Sequence, residues 1–344
     1  MKVRLHIKGK NLWRLCTLIV LCIVLSCCYT IIDSVDQPGS AVVGSTVKIT
    51  VNVKNSCNSS GTARIIFGFL TPKGWKTGDN AKVTYSSSKG DGNMVLLPAN
   101  SPIIAAHSNG VNWPTYMKNF FGNAGNLIDD VEWVAYQSDV PVNYNNGDKI
   151  TGTINITINN IGADGNPTLV KLAYVVANDQ NGFTFDGNDG DSSPTTEYYN
   201  EFVNPNCFEL TGGTGDLVDF CNPQLTTIDP PKSLDNDIVT LTYNNNVVTP
   251  ALLANSSAVY LCATATMSDG KTVTVCDQSA QTMLTQTSAT SGIYRLTFWP
   301  RKLFGATTGQ TVVSMTYFIT DKSGSTKIGY GGTSSPFTYK FKCT

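Results

Sequence analysis

Histidine is nearly missing from this chain of 344 residues, which carries 2, His6 and His107. With so few imidazoles, and with cysteines that stand apart except for the adjacent Cys27 and Cys28, the sequence speaks against a zinc site of the Cys/His kind. It also leaves His107 as the sole candidate base for a Ser-His-Asp site in the mature chain, and no Gly-x-Ser-x-Gly elbow surrounds it. Charge is scarce as well: Asp, Glu, Lys and Arg make up 14% of the residues, with 24 basic against 25 acidic. No basic run follows Arg14, which excludes a nucleic-acid role that depends on Lys and Arg neutralising phosphates. Long apolar runs are missing except at residues 15–25, and that one is too short for a bilayer span of about 20 residues.

What is present starts at the amino terminus. Lys2, Arg4, Lys8, Lys10 and Arg14 precede the apolar stretch, which stops at Ser26, Cys27 and Cys28. This is the layout of an export signal, so residues 1–26 are expected to be a signal peptide that is removed, leaving an acidic mature chain. Val24-Leu25-Ser26 before Cys27 resembles a bacterial lipobox, in which a peptidase cuts ahead of a cysteine bearing a diacylglyceryl group. Cys27 is therefore expected to carry lipid, with palmitate-type chains. Cys28 is the alternative, because Leu25 then takes the usual leucine position. A multi-chain anchor holds firmly, since each buried methylene contributes about 0.8 kcal/mol.

The rest of the chain reads as strands. Val47, Ile49, Val51 and Val53 alternate with Lys48, Thr50, Asn52 and Lys54, and Ile150, Ile154, Ile156 and Ile158 repeat the pattern. Period two marks a half-buried strand. Residues 65–70, 83–85, 94–97 and 169–176 add further strand signals, whereas 113–121 read as a crossing loop of at most one or two helical turns. Asn204-Pro205, Gly212-Gly213, Asn222-Pro223 and Pro230-Pro231 punctuate a linker, and a second set of short strands comes after it. The expected fold is all-β: two tandem immunoglobulin-like β-sandwich domains, at 27–208 and 232–344, joined by a linker at 209–231. Cys262 and Cys276 flank Ser268-Asp269-Gly270-Lys271 symmetrically, so a disulfide across a hairpin is expected; Cys207 with Cys221 is the second expected pair.

Two stretches carry a family resemblance. Residues 31–38, Phe67-Gly68-Phe69-Leu70-Thr71-Pro72-Lys73-Gly74-Trp75 and Val83-Thr84-Tyr85-Ser86-Ser87, extended by Trp113-Pro114, residues 130–136 and Asn206-Cys207-Phe208, form the first. It resembles an uncharacterised domain at the amino terminus of Bacteroidetes lipoproteins from polysaccharide-utilisation loci. The second comprises Asp229-Pro230-Pro231, residues 237–241, Tyr294-Arg295-Leu296, Arg301-Lys302-Leu303-Phe304 and Asp321-Lys322-Ser323-Gly324. It resembles the small sandwich module of surface glycan-binding proteins. The resemblance implies a lipid-anchored outer-membrane protein, at the cell surface or periplasmic face. It would bind polysaccharide or oligosaccharide without catalysis, beside a porin-like transporter and its lipoprotein lid. A structural subunit without sugar binding, and a glycoside hydrolase or hydrolase accessory, are the alternatives.

Sugars stack an apolar ring face on an exposed aromatic, so Trp and Tyr are the first residues to weigh. Trp75 follows the turn Thr71-Pro72-Lys73-Gly74, and Trp113 and Tyr116 fall in or after an Asn-Gly-Val-Asn-Trp-Pro loop. Loop placement favours exposure. Trp299, before Pro300 at a strand end, is a further candidate, while Trp133 alternates with Val131 and Ala135 and reads as core. No cofactor is expected beyond calcium at Asp186, Asn188, Asp189 and Asp191, whose oxygens and intervening glycines suit a tight loop, though a solvated acidic turn fits as well. Hydrolysis needs two facing carboxyl groups, and nothing in the spacing of Asp130, Glu132, Glu197 and Glu201 singles out a pair.

Overall fold

The structure is a computed structural model that describes residues 28–122, 130–183, 198–248, 253, 258–288 and 290–342. They fall into two compact units that divide between Val218 and Asp219, and both are built from strands.

The first unit opens with β1 (Cys28–Asp36), β2 (Ser40–Val42), β3 (Val47–Cys57), β4 (Gly61–Ala63) and β5 (Ile65–Pro72). β6 (Ala81–Ser87), β7 (Gly90–Leu97), β8 (Val131–Ser138), β9 (Val142–Tyr144) and β10 (Lys149–Ile158) come next. β11 (Thr168–Val170), β12 (Ala173–Asn178), β13 (Tyr199–Val203) and β14 (Phe208–Thr211) end it, and the two residues of β15 (Val218–Asp219) stand on either side of the division. Nine strands form one sheet in the order β1-β3-β10-β6-β7-β8-β5-β12-β13. The sheet folds over into two layers, bringing its edges together: the Ile32 amide on β1 donates to Asn200 Oδ1 on β13 at 2.9 Å. Period-two strands supply one layer, where Val47, Ile49 and Val51 are buried and Lys48 and Lys54 stay in solvent. Each such Val or Ile contributes about 1.5–3 kcal/mol by leaving water.

β5 and β12 do not alternate. Ile66, Phe67, Gly68 and Phe69 are all buried, as are residues 173–177, because this layer is covered on both faces. Phe69 stacks on Tyr174 on one side, with ring centroids 5.2 Å apart. On the other lies α1 (Trp113–Phe121), a helix where a crossing loop was expected. Asn112 caps it by accepting the Thr115 amide at 3.1 Å, and Pro114 occupies its first turn, where a missing N–H is harmless. Trp113, Tyr116, Met117 and Phe120 recur at helical spacing and pack with Ile66, Ala135 and Val175.

The expected linker at 209–231 is mostly structure. β14 pairs with β11 and, in parallel, with β2, and Leu210 on it is 1% exposed. Gly212 and Gly213 take left-handed φ of 77° and 81°, so they turn the chain at a strand end without freeing it. Leu225 is a core residue of the second unit, and Thr226 already starts its first strand.

That unit comprises β16 (Thr226–Asp229), β17 (Val239–Asn244), β18 (Ala258–Met267), β19 (Thr272–Val275), β20 (Met283–Gln286) and β21 (Ile293–Phe298). α2 (Pro300–Leu303), β22 (Val312–Thr320), β23 (Lys327–Ile328) and β24 (Phe337–Lys340) complete it. One layer runs β16-β17-β21-β20 and the other β19-β18-β22-β24, the ABED and CFG order of an immunoglobulin sandwich with β19 added outside β18. Leu241, Tyr243, Leu261, Leu296, Met315 and Ile319 fill the space between. Cys262 and Cys276, one pair beyond Ala263 and Val275, form the expected disulfide, Cα atoms 4.0 Å apart. Cys207 and Cys221 each stand in a disulfide. Among the described residues no helix is long and apolar enough to cross a membrane.

Candidate functional site

Most of the aromatic side chains expected to stack on sugars turn out to be interior. Trp75 is 0% exposed, Trp113 1% and Tyr116 7%, which corrects their reading as surface platforms. Trp75 ends a tight turn that folds back over the sandwich, and its ring meets Phe208 edge-on at 5.8 Å. Trp113 and Tyr116 lie on the inward stripe of α1, where both rings pack on Phe183 at 5.8 and 4.8 Å. Trp133 is in the same cluster, as its alternation implied, and its Nε1 donates to the Gly122 carbonyl.

Trp299 differs: it keeps 41% of its surface in solvent. It stands between β21 and α2 in an extended conformation, and its carbonyl accepts the Leu303 amide at 2.9 Å, so the backbone beneath the ring is held by the helix it caps. Behind it the chain is clamped by Asp235. The carboxylate of Asp235 accepts the Val312 amide at 2.9 Å and faces Arg301 at 3.7 Å, while its carbonyl accepts the Arg301 amide. Arg301 donates onward to the Gln310 carbonyl at 2.8 Å. Asp235 is 7% exposed. Continuing the β17–β21 register one step past Val239 and Phe298 sets Ile238 opposite Trp299, and Ile238 is 61% exposed. Two exposed apolar side chains thus stand at one end of the β17–β21 pair, with the exposed Asn236 two residues before Ile238 and the exposed Lys302 three residues after Trp299. Ile238 and Arg301 enter the sequence reading through the family resemblance alone and Asp235 not at all, so none of the three was placed in a site. The signal available was an isoleucine with no alternating partner just before a strand.

Other features are less suited to a sugar. An apolar cavity of about 90 Å³ sits between the layers where β1 begins, lined by Thr30, Val53, Cys57, Ile65, Ile150 and Val176. Small-molecule sites usually measure roughly 300–1,000 Å³, so it is too small for a pyranose ring. A polar hollow of about 390 Å³ on the solvent side is lined by Asp33, Asn52, Lys54, Ser86, Thr151 and Thr153, with no aromatic among them.

Among the described residues the candidate carboxylates do not converge. Burial pushes the carboxyl groups of Glu132 and Glu201 above the ordinary range, Lys73 partly opposing this at Glu132. Glu201 pairs with Val175, Val175 with Gly68 and Gly68 with Ala135, so Glu201 shares a face with Ala135. Glu132, three residues before Ala135, belongs to the opposite face, and three strand spacings of about 4.8 Å separate the two strands. Facing carboxyls in inverting glycosidases lie about 6.5–9.5 Å apart. Asp130 is exposed. Glu197, the calcium candidates Asp186, Asn188, Asp189 and Asp191, and the lipidation candidate Cys27 lie outside the described residues, while Cys28 opens β1. Among the described residues, no three His, Cys, Asp or Glu side chains are grouped to hold a metal ion.

Comparison with solved structures gives similarity to the C-terminal domain of the antigen I/II-family protein AspA of Streptococcus pyogenes. The identity is 12%, over 93% of this chain and 100% of that one, with a TM-score of 0.27. The major pilin subunit BcpA of Bacillus cereus is 9% identical over 90% of this chain and 66% of that one, at a TM-score of 0.23. Overlaps this loose carry no argument, and the sandwich assignment rests on strand order. Comparison with curated proteins finds no match. Residues 226–328, within the second unit, match a domain of unknown function, DUF8578. Residues 30–224, more than half of the chain, match the domain of unknown function DUF4961, and the protein belongs to that family.

Proposed function

We propose that this protein is a non-catalytic lipoprotein of the cell envelope that captures polysaccharide for a glycan uptake system, with Trp299 as its stacking platform. The observation that carries this reading is the exposed indole on a backbone held by Asp235 and Arg301. A platform held in place before binding loses little freedom when a sugar docks. The signal-like amino terminus and the cysteine at 27 support an anchor at the outer membrane, and the family resemblance supports a transporter and its lid as neighbours.

Covering about 100 Å² of apolar surface contributes about 2.5 kcal/mol, whereas a millimolar complex needs about 4.1 kcal/mol. Trp299 with a few hydrogen bonds therefore gives weak binding per site, which repeated engagement along a polymer strengthens. Affinity electrophoresis in gels containing polysaccharide suits this regime. The soluble mature chain is expected to be retarded by at least one of a broad panel, and Trp299→Ala to abolish the retardation without moving the melting temperature. Migration unaffected by every polymer, or equal retardation of the variant, would remove the basis for this reading. Among the described tryptophans Trp299 alone is open to solvent, so mild succinimide oxidation should modify it first, and the retarding polysaccharide should protect it.

A further inference from the structure

The first residue pair of β1 and β3 joins Cys28 to Cys57 in register. The Cys57 amide donates to the Asp148 carbonyl at 2.9 Å and its carbonyl accepts the Gly147 amide at 2.7 Å, so both backbone groups are turned toward β10. Cys28 and Cys57 are therefore a non-hydrogen-bonded pair, the closer kind in an antiparallel ladder, with Cα atoms about 4.5 Å apart. Disulfides span Cα separations of about 4.4–6.8 Å. Opposite residues of such a ladder share a face; Cys57 is 2% exposed, and Thr30, two positions along β1 from Cys28, is 3% exposed. The same chain already bridges one pair of directly opposite residues, Cys262 with Cys276.

We propose that Cys28 and Cys57 form a disulfide in the exported protein, stapling the edge strand β1 to β3 one residue after the lipidated Cys27. This rests on the reading of residues 1–26 as an export signal. It also assigns the acyl group to Cys27 and not Cys28. The oxidant is the disulfide of an exported thiol oxidoreductase. The Cys28 thiolate attacks it and releases one thiol, and the Cys57 thiolate then displaces the second, so two electrons and two protons pass to the oxidant. A staple here has a mechanical effect. Tension on a tether at Cys27 enters β1 at its first residue and would peel it from β3 one pair at a time; a covalent link at the first pair passes the load to β3, which lies inside the sheet.

The test uses full-length protein expressed with its signal, extracted from membranes with thiols blocked by iodoacetamide, digested without reduction and analysed by mass spectrometry. A peptide linking Cys28 to Cys57 is expected, with Cys57 unlabelled before reduction and fully labelled after it. Alkylation of both residues without reduction, lipid on Cys28, or a bond from either cysteine to another partner overturns the proposal. In Cys28→Ser the Cys57 thiol should become labelled on unfolding without reductant; continued protection overturns it as well. Lipid on Cys27 with Cys28 free would sink the staple and leave the anchor standing. The linked peptide in a chain without lipid would do the reverse.

Discussion

Gly68 sits under α1, and the close approach of helix to sheet depends on it. A Cβ built at this position would lie 2.5 Å from Val175 Cγ1, 2.6 Å from Met117 Sδ and 2.8 Å from Met117 Cε. Neither neighbour can swing into solvent, since both are 0% exposed. Overpacking of this kind costs about 1–3 kcal/mol, and removing glycine from a strand returns about 0.5–1 kcal/mol through the unfolded chain. Gly68→Ala is then expected to lose about 1–2 kcal/mol. For a domain of this size that is a drop in Tm of about 2–8 °C. Thermal unfolding followed by near-ultraviolet circular dichroism, which reports on the aromatic cluster under α1, measures it directly. In a Met117→Ala background the cost of Gly68→Ala should shrink, because two of the three close contacts come from that side chain. A rise in Tm for Gly68→Ala, or an equal penalty in both backgrounds, would refute the argument that the helix requires a bare backbone here.

Three further outcomes rest on single side chains. Burial raises the Glu132 carboxyl above its ordinary value of 4.5, so its contribution to stability is fully present below the unfolded pKa and is lost as pH rises through the folded one. Glu132→Gln should accordingly be more stable than the parent at neutral pH, with the difference closing on acidification below about pH 4.5 in urea titrations; an advantage that persisted in acid would contradict this. Cys262→Ser opens a loop of sequence separation 14, and the chain-entropy account puts the loss near 3 kcal/mol, readable as a lower urea midpoint for the second unit alone. The Tyr136 hydroxyl is buried and without a hydrogen-bond partner, so Tyr136→Phe should be neutral or stabilising, and a loss beyond about 1 kcal/mol would reveal a partner.

Trp113 and Trp299 show how much of this was legible in the chain. Strand alternation gave the half-buried layer at Val47, Ile49 and Val51, and hairpin symmetry gave the Cys262–Cys276 bond, because both depend on local spacing. Burial of an aromatic depends on what covers it, and each of these tryptophans stands beside a proline at the start of a helix. The next turn of chain decides the outcome in each case. After Trp113 come Tyr116, Met117 and Phe120, an apolar stripe at i+3, i+4 and i+7 that must find a surface, and the two-sided burial of Ile66, Phe67, Gly68 and Phe69 offers one. Trp113 belongs to that stripe and goes inside with it. After Trp299 the helix is four residues long and its sequence is Pro-Arg-Lys-Leu. One turn cannot carry a stripe, and Arg301 is engaged with Asp235, so nothing in α2 draws the indole inward. Where a loop lies in the sequence thus says less about exposure than whether the neighbouring helix has its own apolar face to bury, and by that criterion Trp299 is the tryptophan that stays in solvent.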